Sequence, residues 1–192
     1  LKYKIPLFYC NAVGSQTEIV FDGGSYIFDK DANLVKAFPL FEEAVDGVIL
    51  NDDGTLQSAI IEPANRVPDK ELNPINLNEH LNIDQVYQAL ILGIKDYFSK
   101  MGFTKAILGS SGGIDSAVVL ALACEALGAE NVRAILMPSP YSTDHSVNDA
   151  VQLSKNLNNP YDIVRINNVY KTFLTTLEPI FKDLPFSVAE EN

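Results

Sequence analysis

The residues with the clearest chemical potential in this chain of 192 residues are consecutive: Leu108-Gly109-Ser110-Ser111-Gly112-Gly113-Ile114-Asp115-Ser116. Two adjacent glycines let the backbone take positive φ and approach a ligand with no Cβ in the way. The free N–H groups of a following helix start, with the positive end of its dipole, then suit an anion such as phosphate. Ser111 and Ser116 add hydroxyl donors. Asp115 is the odd member, because a carboxylate beside phosphates repels them unless a divalent cation lies between. A purely structural alternative leaves Asp115 with a favourable place at a helix N-terminus, worth ~0.3–1 kcal/mol. The run contains no Gly-Lys-Ser/Thr and no Gly-x-Gly-x-x-Gly, which excludes a Walker loop and a dinucleotide fingerprint.

Such a loop works only if a strand delivers it to a helix, and the flanking pattern supplies both. Ala106 to Leu108 reads as a short strand, and Ser116 to Leu127 as a helix ended by Gly128. Val132–Met137 and Tyr161–Ile166 read as strands, Ser146–Leu157 and Val169 to about Phe181 as helices. Ser146 and Asp149 stand in the spacing of a capping box, worth ~1 kcal/mol. Before the loop, Ile83, Val86, Tyr87, Leu90, Ile91, Ile94, Tyr97 and Phe98 recur at helical spacing up to Gly102. Alternating strands and helices predict an α/β fold with a parallel sheet, and open sheets of this kind bind phosphates where a strand runs into a helix.

The first sixty residues differ. Pro6–Asn11, Glu18–Phe21, Ser25–Asp29, Leu34–Phe38 and Val45–Leu50 are short apolar runs separated by Asp22-Gly23-Gly24, Asp29-Lys30-Asp31-Ala32-Asn33 and Asn51-Asp52-Asp53-Gly54. They predict small strands and hairpin turns, with Asp22-Gly23-Gly24 among the turns, and too little surface for an independent core. Pro63, Pro68, Pro74 and many Asn mark residues 62–82 as a linker.

Composition narrows the function classes. Fourteen Lys+Arg against 25 Asp+Glu give a net charge of −11, with no basic face for a nucleic-acid backbone. The longest apolar run, Ala117–Cys124, falls far short of the ~20 residues of a membrane span. No basic-then-apolar leader opens the chain, so no secretory signal is expected. Cys10 and Cys124 lie far apart, which argues against a disulfide framework or a zinc site and fits a reducing compartment. Cys10, mid-strand after Phe8 and Tyr9, reads as a buried structural thiol, and Cys124 as another. His145 flanks a helix start, with a site-lining and a merely structural reading both open; His80, in the linker, reads as solvated.

Ser111-Gly112-Gly113-Ile114-Asp115-Ser116 resembles the Ser-Gly-Gly-x-Asp-Ser pyrophosphate loop of the ATP pyrophosphatase superfamily. Those enzymes cleave ATP between its α- and β-phosphates to form an adenylate, and GMP synthetases, asparagine synthetases and tRNA-thiolating enzymes carry close versions. Two further stretches resemble the glutamine-dependent NAD synthetases in particular. Leu136-Met137-Pro138-Ser139-Pro140-Tyr141-Ser142-Thr143-Asp144-His145-Ser146 is similar to their Met-Pro-Ser-x-Tyr-Ser-Ser-Asp-His-Ser stretch. Asn11–Glu18 and Val20–Ser25 are similar to the late part of their nitrilase-like glutaminase domain, with Thr17 where an Asp is more usual. Ala189-Glu190-Glu191-Asn192 is similar to the start of their Glu-Glu-Asn-Ile-Gln-Ala-Arg motif.

The resemblance implies a Rossmann-like sheet of the adenine nucleotide alpha hydrolase type, preceded by a β-rich remnant of a nitrilase-like domain. Residues 1–61 would be that remnant, 62–82 the linker, and 83–192 the first part of the synthetase domain. Gly109, Ser110, Ser111, Gly112, Gly113, Ile114, Asp115, Ser116 and Met137 would bind ATP. Asp115 would hold Mg²⁺, and Asn192 would contact the dinucleotide substrate. The substrates would be deamido-NAD, ATP, and glutamine or ammonia, in a cytoplasmic homo-oligomer that engages neither nucleic acid nor membrane. The glutaminase nucleophile would precede Leu1 and the second half of the synthetase site would follow Asn192. The chain is therefore expected to be an internal fragment without turnover of its own. The alternatives are another adenylating enzyme of the superfamily, GMP synthetase-like or tRNA-thiolating, and a non-catalytic nucleotide-binding fragment.

Overall fold

A computed structural model describes residues 3–58 and 82–181. The linker with His80, and the tail with Asn192, lie outside them. The chain divides into two compact units, Leu1–Lys100 and Met101–Asn192.

The first unit is built from small antiparallel sheets. Strands β1 (Leu7–Tyr9), β4 (Tyr26–Phe28) and β5 (Leu34–Ala37) form one sheet in the order β1-β4-β5. Strands β2 (Val13–Gln16) and β3 (Ile19–Asp22) form a hairpin, and β6 (Val48–Leu50) pairs with β7 (Leu56–Ser58). The β4–β5 turn is held by Asp29, whose carboxylate accepts the N–H groups of Asp31 (2.9 Å) and Asn33 (2.8 Å). The Asn33 side-chain and backbone donors hold that carboxyl below the usual carboxylate range. In the β6–β7 turn, the Gly54 N–H closes onto the Asn51 carbonyl (2.9 Å) and Asp53 accepts from Thr55.

Three expectations need correcting. Asp22-Gly23-Gly24 is not a hairpin turn: β3 pairs with β2 and β4 with β1 and β5, so the segment carries the chain from one sheet to another. Both glycines have positive φ (74° and 58°), and the Gly23 N–H bonds back to Ala12 O (2.9 Å). Cys10 is exposed: it follows β1 in the connection to β2, and β1 itself is exposed along its whole length, so this strand offers no core to bury a thiol. Two strands, β2 and β7, were not expected, since Val13-Gly14-Ser15-Gln16 and Leu56-Gln57-Ser58 lack an apolar run. The two-residue β2–β3 turn puts Thr17 at φ 57°, a left-handed position that disfavours a β-branched residue and favours Gly, Asn or Asp. That gives the departure at Thr17 a physical cost.

Helix α1 (Ile83–Met101) packs onto this hairpin. The Asp96 carboxylate accepts the Ser15 N–H (2.7 Å) and the Lys100 ammonium (2.9 Å), and Lys100 also donates to the Ser15 carbonyl. The Ser15 N–H first, and Lys100 second, hold the Asp96 carboxyl below its usual range. Gly14 makes the approach possible: a Cβ there would lie 2.8 Å from Asp96 Oδ2. Ile27 and Ile91 are the buried hydrophobic residues of this unit among those described, so its sheets bury little.

The second unit carries the real core. Strands β8 (Ala106–Gly109), β9 (Val132–Leu136) and β10 (Tyr161–Ile163) form a parallel sheet in the order β10-β9-β8. Helix α2 (Ile114–Leu127) connects β8 to β9, and α3 (Asp144–Leu157) connects β9 to β10; α4 (Asn167–Phe181) follows. Leu120, Ala123 and Cys124 of α2 meet Val132, Ala134 and Leu136 of β9 and Ala150 of α3 in one buried cluster. Burial pushes the Cys124 thiol above its usual range, as a structural thiol should be. The expected parallel α/β fold is observed.

The elements here match the expected ones to within a few residues, with two informative differences. The cap of α3 is Thr143, not Ser146: the Thr143 hydroxyl accepts the Ser146 N–H (3.2 Å), and Asp144 takes the first turn, where its charge suits the dipole. The third strand stops at Ile163. Single bonds from Val164 to Leu136 O (2.8 Å) and Ile166 to Pro138 O (3.3 Å) continue the pairing.

Candidate functional site

The site follows from register. Gly109, the last residue of β8, lies opposite Ile135, and β9 ends one residue later at Leu136. The loops that leave these two strands therefore emerge side by side at the carboxyl edge of the sheet, where open α/β sheets bind ligands. Between them lies a cleft of about 260 Å³ lined by Gly109, Ser110, Ser111, Ile135, Leu136, Met137, Pro138, Ser142 and Val147. Four of the sequence-expected residues, Gly109, Ser110, Ser111 and Met137, are thus brought together. Gly112, Gly113, Ile114, Asp115 and Ser116 continue the same loop into α2 without lining the cleft.

The loop is internally braced. The Ser111 N–H donates to Ser116 Oγ (3.2 Å), the Gly113 N–H to Ser111 Oγ (3.2 Å), and the Ser116 hydroxyl to the Gly113 carbonyl (3.0 Å). The hydroxyls of Ser111 and Ser116 stand 3.1 Å apart. These two serines, read as ligand donors, here shape the turn. The first intrahelical bond of α2 runs from Ala117 N–H to Gly113 O (3.1 Å). The amides of Ile114, Asp115 and Ser116 precede it, and Gly113 provides no side-chain cap. An anion would meet these donors and the positive end of α2.

Gly112 is the tightest point. With φ 84° it lies against the first turn of α3, and a Cβ there would fall 2.1 Å from the Ser146 carbonyl oxygen. The phosphate-type loop and α3 are therefore in direct backbone contact, which only glycine permits. Ser110 is 5% exposed, its N–H donates to Ile135 O (3.0 Å), and its hydroxyl has no protein partner. That hydroxyl is closed off from the cleft, so Ser110 contributes to the lining through its other atoms. Asp115 is exposed, and no group of three or more His, Cys, Asp or Glu side chains gathers for a metal among the described residues.

On the opposite wall, Ser139 and Ser142 form a turn. The Ser142 N–H donates to Ser139 O (3.1 Å), and the Ser139 N–H to Ser142 Oγ (3.0 Å). His145 is exposed on the first turn of α3 and does not line the cleft. Ser142 and Val147 were not anticipated; the stretch containing Ser142 was singled out, but its inward residue depends on the conformation of the Ser139–Ser142 turn. Among the described residues no helix is long and apolar enough to cross a membrane.

The NAD synthase family model matches residues 86–192. The chain belongs to the NAD synthase family. Its relatives extend the likeness to the β-rich unit. A glutamine-dependent NAD(+) synthetase of Synechocystis sp. is 42% identical over 191 residues, covering 100% of this chain and 32% of that protein. One from Thermotoga maritima is 36% identical, covering 99% and 36%. The structure of a glutamine-dependent NAD+ synthetase from Acinetobacter baumannii in complex with ADP superposes with TM-score 0.82 and 30% identity. It covers 99% of this chain and 34% of that one. This NAD synthase family member thus spans about a third of the length of the relatives it matches.

Proposed function

We propose that this chain is a segment of a glutamine-dependent NAD synthetase, and that its cleft binds ATP for the amidation of deamido-NAD. The observation that carries the reading is the Ser-Gly-Gly-Ile-Asp-Ser loop at the carboxyl edge of the sheet, where it leaves a cleft lined by Gly109, Ser110 and Ser111 and runs into the uncapped start of α2. In the reaction, the nicotinate carboxylate attacks the α-phosphorus of ATP, pyrophosphate leaves, and an acyl adenylate forms. Ammonia, released from glutamine, then displaces AMP and leaves the amide.

The chain's own part is binding and charge stabilisation. The loop and the first amides of α2 face the phosphates, so donors are fixed where negative charge grows on the leaving pyrophosphate. Met137, Pro138 and Ile135 supply an apolar wall suited to a purine. Asp115 would hold Mg²⁺, since one carboxylate together with phosphate oxygens is a donor set magnesium accepts. When bound, the ion supplies positive charge beside the departing pyrophosphate. Asn192 would reach the dinucleotide substrate. The free thiols Cys10 and Cys124 support a reducing, cytoplasmic setting.

The test is product stoichiometry in the full-length protein with ATP, ammonium and deamido-NAD. AMP, pyrophosphate and NAD should form one for one, and AMP should not form when the dinucleotide is omitted. ADP as the product, or AMP release indifferent to the dinucleotide, overturns the proposal.

A further inference from the structure

The wall of the cleft formed by Pro138 and Ser142 belongs to the connection between β9 and α3, and that connection is tied to one neighbouring segment twice. The first tie is the bond from the Ile166 N–H to the Pro138 carbonyl (3.3 Å). The second joins side chains. Tyr141, one residue before the cleft-lining Ser142, meets Tyr170 of α4 with hydroxyl oxygens 2.9 Å apart. Their rings meet edge to face, with centroids 5.7 Å apart at 87°. Tyr170 is itself set one helical turn beyond Ile166, to which its N–H donates (2.9 Å). A single backbone bond would let the Ser139–Ser142 turn pivot about Pro138. The tyrosine contact at its tip removes that freedom.

Within the turn, the Tyr141 N–H donates to Ser139 Oγ (3.2 Å), so fixing Tyr141 also fixes the serine that closes the turn onto Ser142. Tyr141 is 45% exposed and Tyr170 is half-buried. Each tyrosine→phenylalanine change keeps the ring and removes one neutral hydroxyl of a contact outside the core cluster, so the fold should hardly register it. What it changes is how well the wall is held before a ligand arrives, and a pre-organised wall costs less to order on binding.

We propose that Tyr170 is a positioning residue for the nucleotide site: through Tyr141 it holds the Ser139–Ser142 turn in the conformation that completes the cleft. The inference rests on the ATP site proposed above. It assigns a role to a residue on α4 that lies outside the lining of the cleft.

The experiment is steady-state kinetics and thermal unfolding of the full-length protein carrying Tyr170→Phe, Tyr141→Phe, or both. Each single change should raise the KM for ATP about 3- to 10-fold, the scale of one neutral hydrogen bond, with kcat within about twofold. The double variant should match either single one, because both remove the same contact. Unfolding midpoints should stay within about 2 °C of the parent. An unchanged KM for ATP in the single variants, or effects that simply multiply in the double, overturns the positioning role, whatever the unfolding midpoints do. If the unsubstituted protein shows no saturable dependence on ATP, the nucleotide site itself is refuted, and the positioning role with it.

Discussion

Replacing Gly112 by alanine tests the contact between the Ser-Gly-Gly loop and α3 directly. The new Cβ would stand 2.1 Å from the Ser146 carbonyl oxygen, 2.7 Å from its carbon and 2.8 Å from its Cα. A comfortable carbon–oxygen contact is about 3.3 Å or more, so backbone must move by roughly 1 Å. The atoms in the way are backbone, so no side-chain rotation relieves them. Alanine at φ 84° adds a cost of about 1–2 kcal/mol. Displacing Ser146 also disturbs the Thr143 cap of α3, worth about 1 kcal/mol. Together these give a loss of roughly 2–4 kcal/mol, or about 8–30 °C in the unfolding midpoint of a unit this size. Two neighbours serve as controls. Gly113 has φ −83°, and a Cβ there would stand 3.4 Å from Ser111 Oγ. At Gly109 a Cβ would make an ordinary 3.6 Å contact with Met137. Alanine at either should cost no more than about 1 kcal/mol. Urea and thermal unfolding of the three variants decide the matter. A Gly112→Ala protein within about 0.5 kcal/mol of Gly113→Ala would refute the backbone contact.

Asp115→Asn should shift stability by no more than about 1 kcal/mol yet lower turnover of the full-length enzyme about 10²–10³-fold, most severely at limiting magnesium; near-normal rates there would leave Asp115 as only a helix-start residue. Thr17→Gly should raise stability by about 1 kcal/mol by relieving the left-handed β-branched residue, as read from the unfolding midpoint. A midpoint that falls would show that the threonine side chain is needed. Asp96→Asn should destabilise the Leu1–Lys100 unit by about 1 kcal/mol near pH 7. The Asp96 carboxyl is lowered in the folded state, so its contribution is full above the unfolded value of about 4 and is lost as pH falls through the folded one. The gap between the two proteins should therefore close in acid, and a gap that persists at pH 2 contradicts the reading.

The sequence spoke most clearly where chemistry is local. Ser111–Ser116 could be placed between a strand and a helix because glycine pairs, serines and a first-turn acid act within a few residues of themselves. The strand–helix alternation around that loop was legible in the same way, whereas the choice of Leu120 over the exposed Val118 and Val119 for the core was not, because α2 is apolar on every side. What could not be read depends on distant partners. Asp22-Gly23-Gly24 has the composition of a hairpin turn, yet the pairing of β3 with β2 and of β4 with β1 makes it a passage between sheets. Cys10 sits in an apolar run, but nothing within the run says that the strand β1 beside it is left exposed. Ser142 and Val147 reach the cleft only because β8 and β9 end level with each other, a matter of strand register.

The grip of Asp96 and Lys100 on Ser15 has a consequence for how such chains can be taken apart. By sequence, α1 opens the synthetase portion; by packing, it closes the β-rich one. A polypeptide begun just before Ile83 would keep the helix and lose the strand edge that its carboxylate holds. Asp96 would then keep Lys100, one turn on in the same helix, and lose the Ser15 amide. The family match begins inside this helix, yet its carboxylate is committed to a strand edge before the match, so the stretch that the family model outlines is not the stretch that packs as a unit.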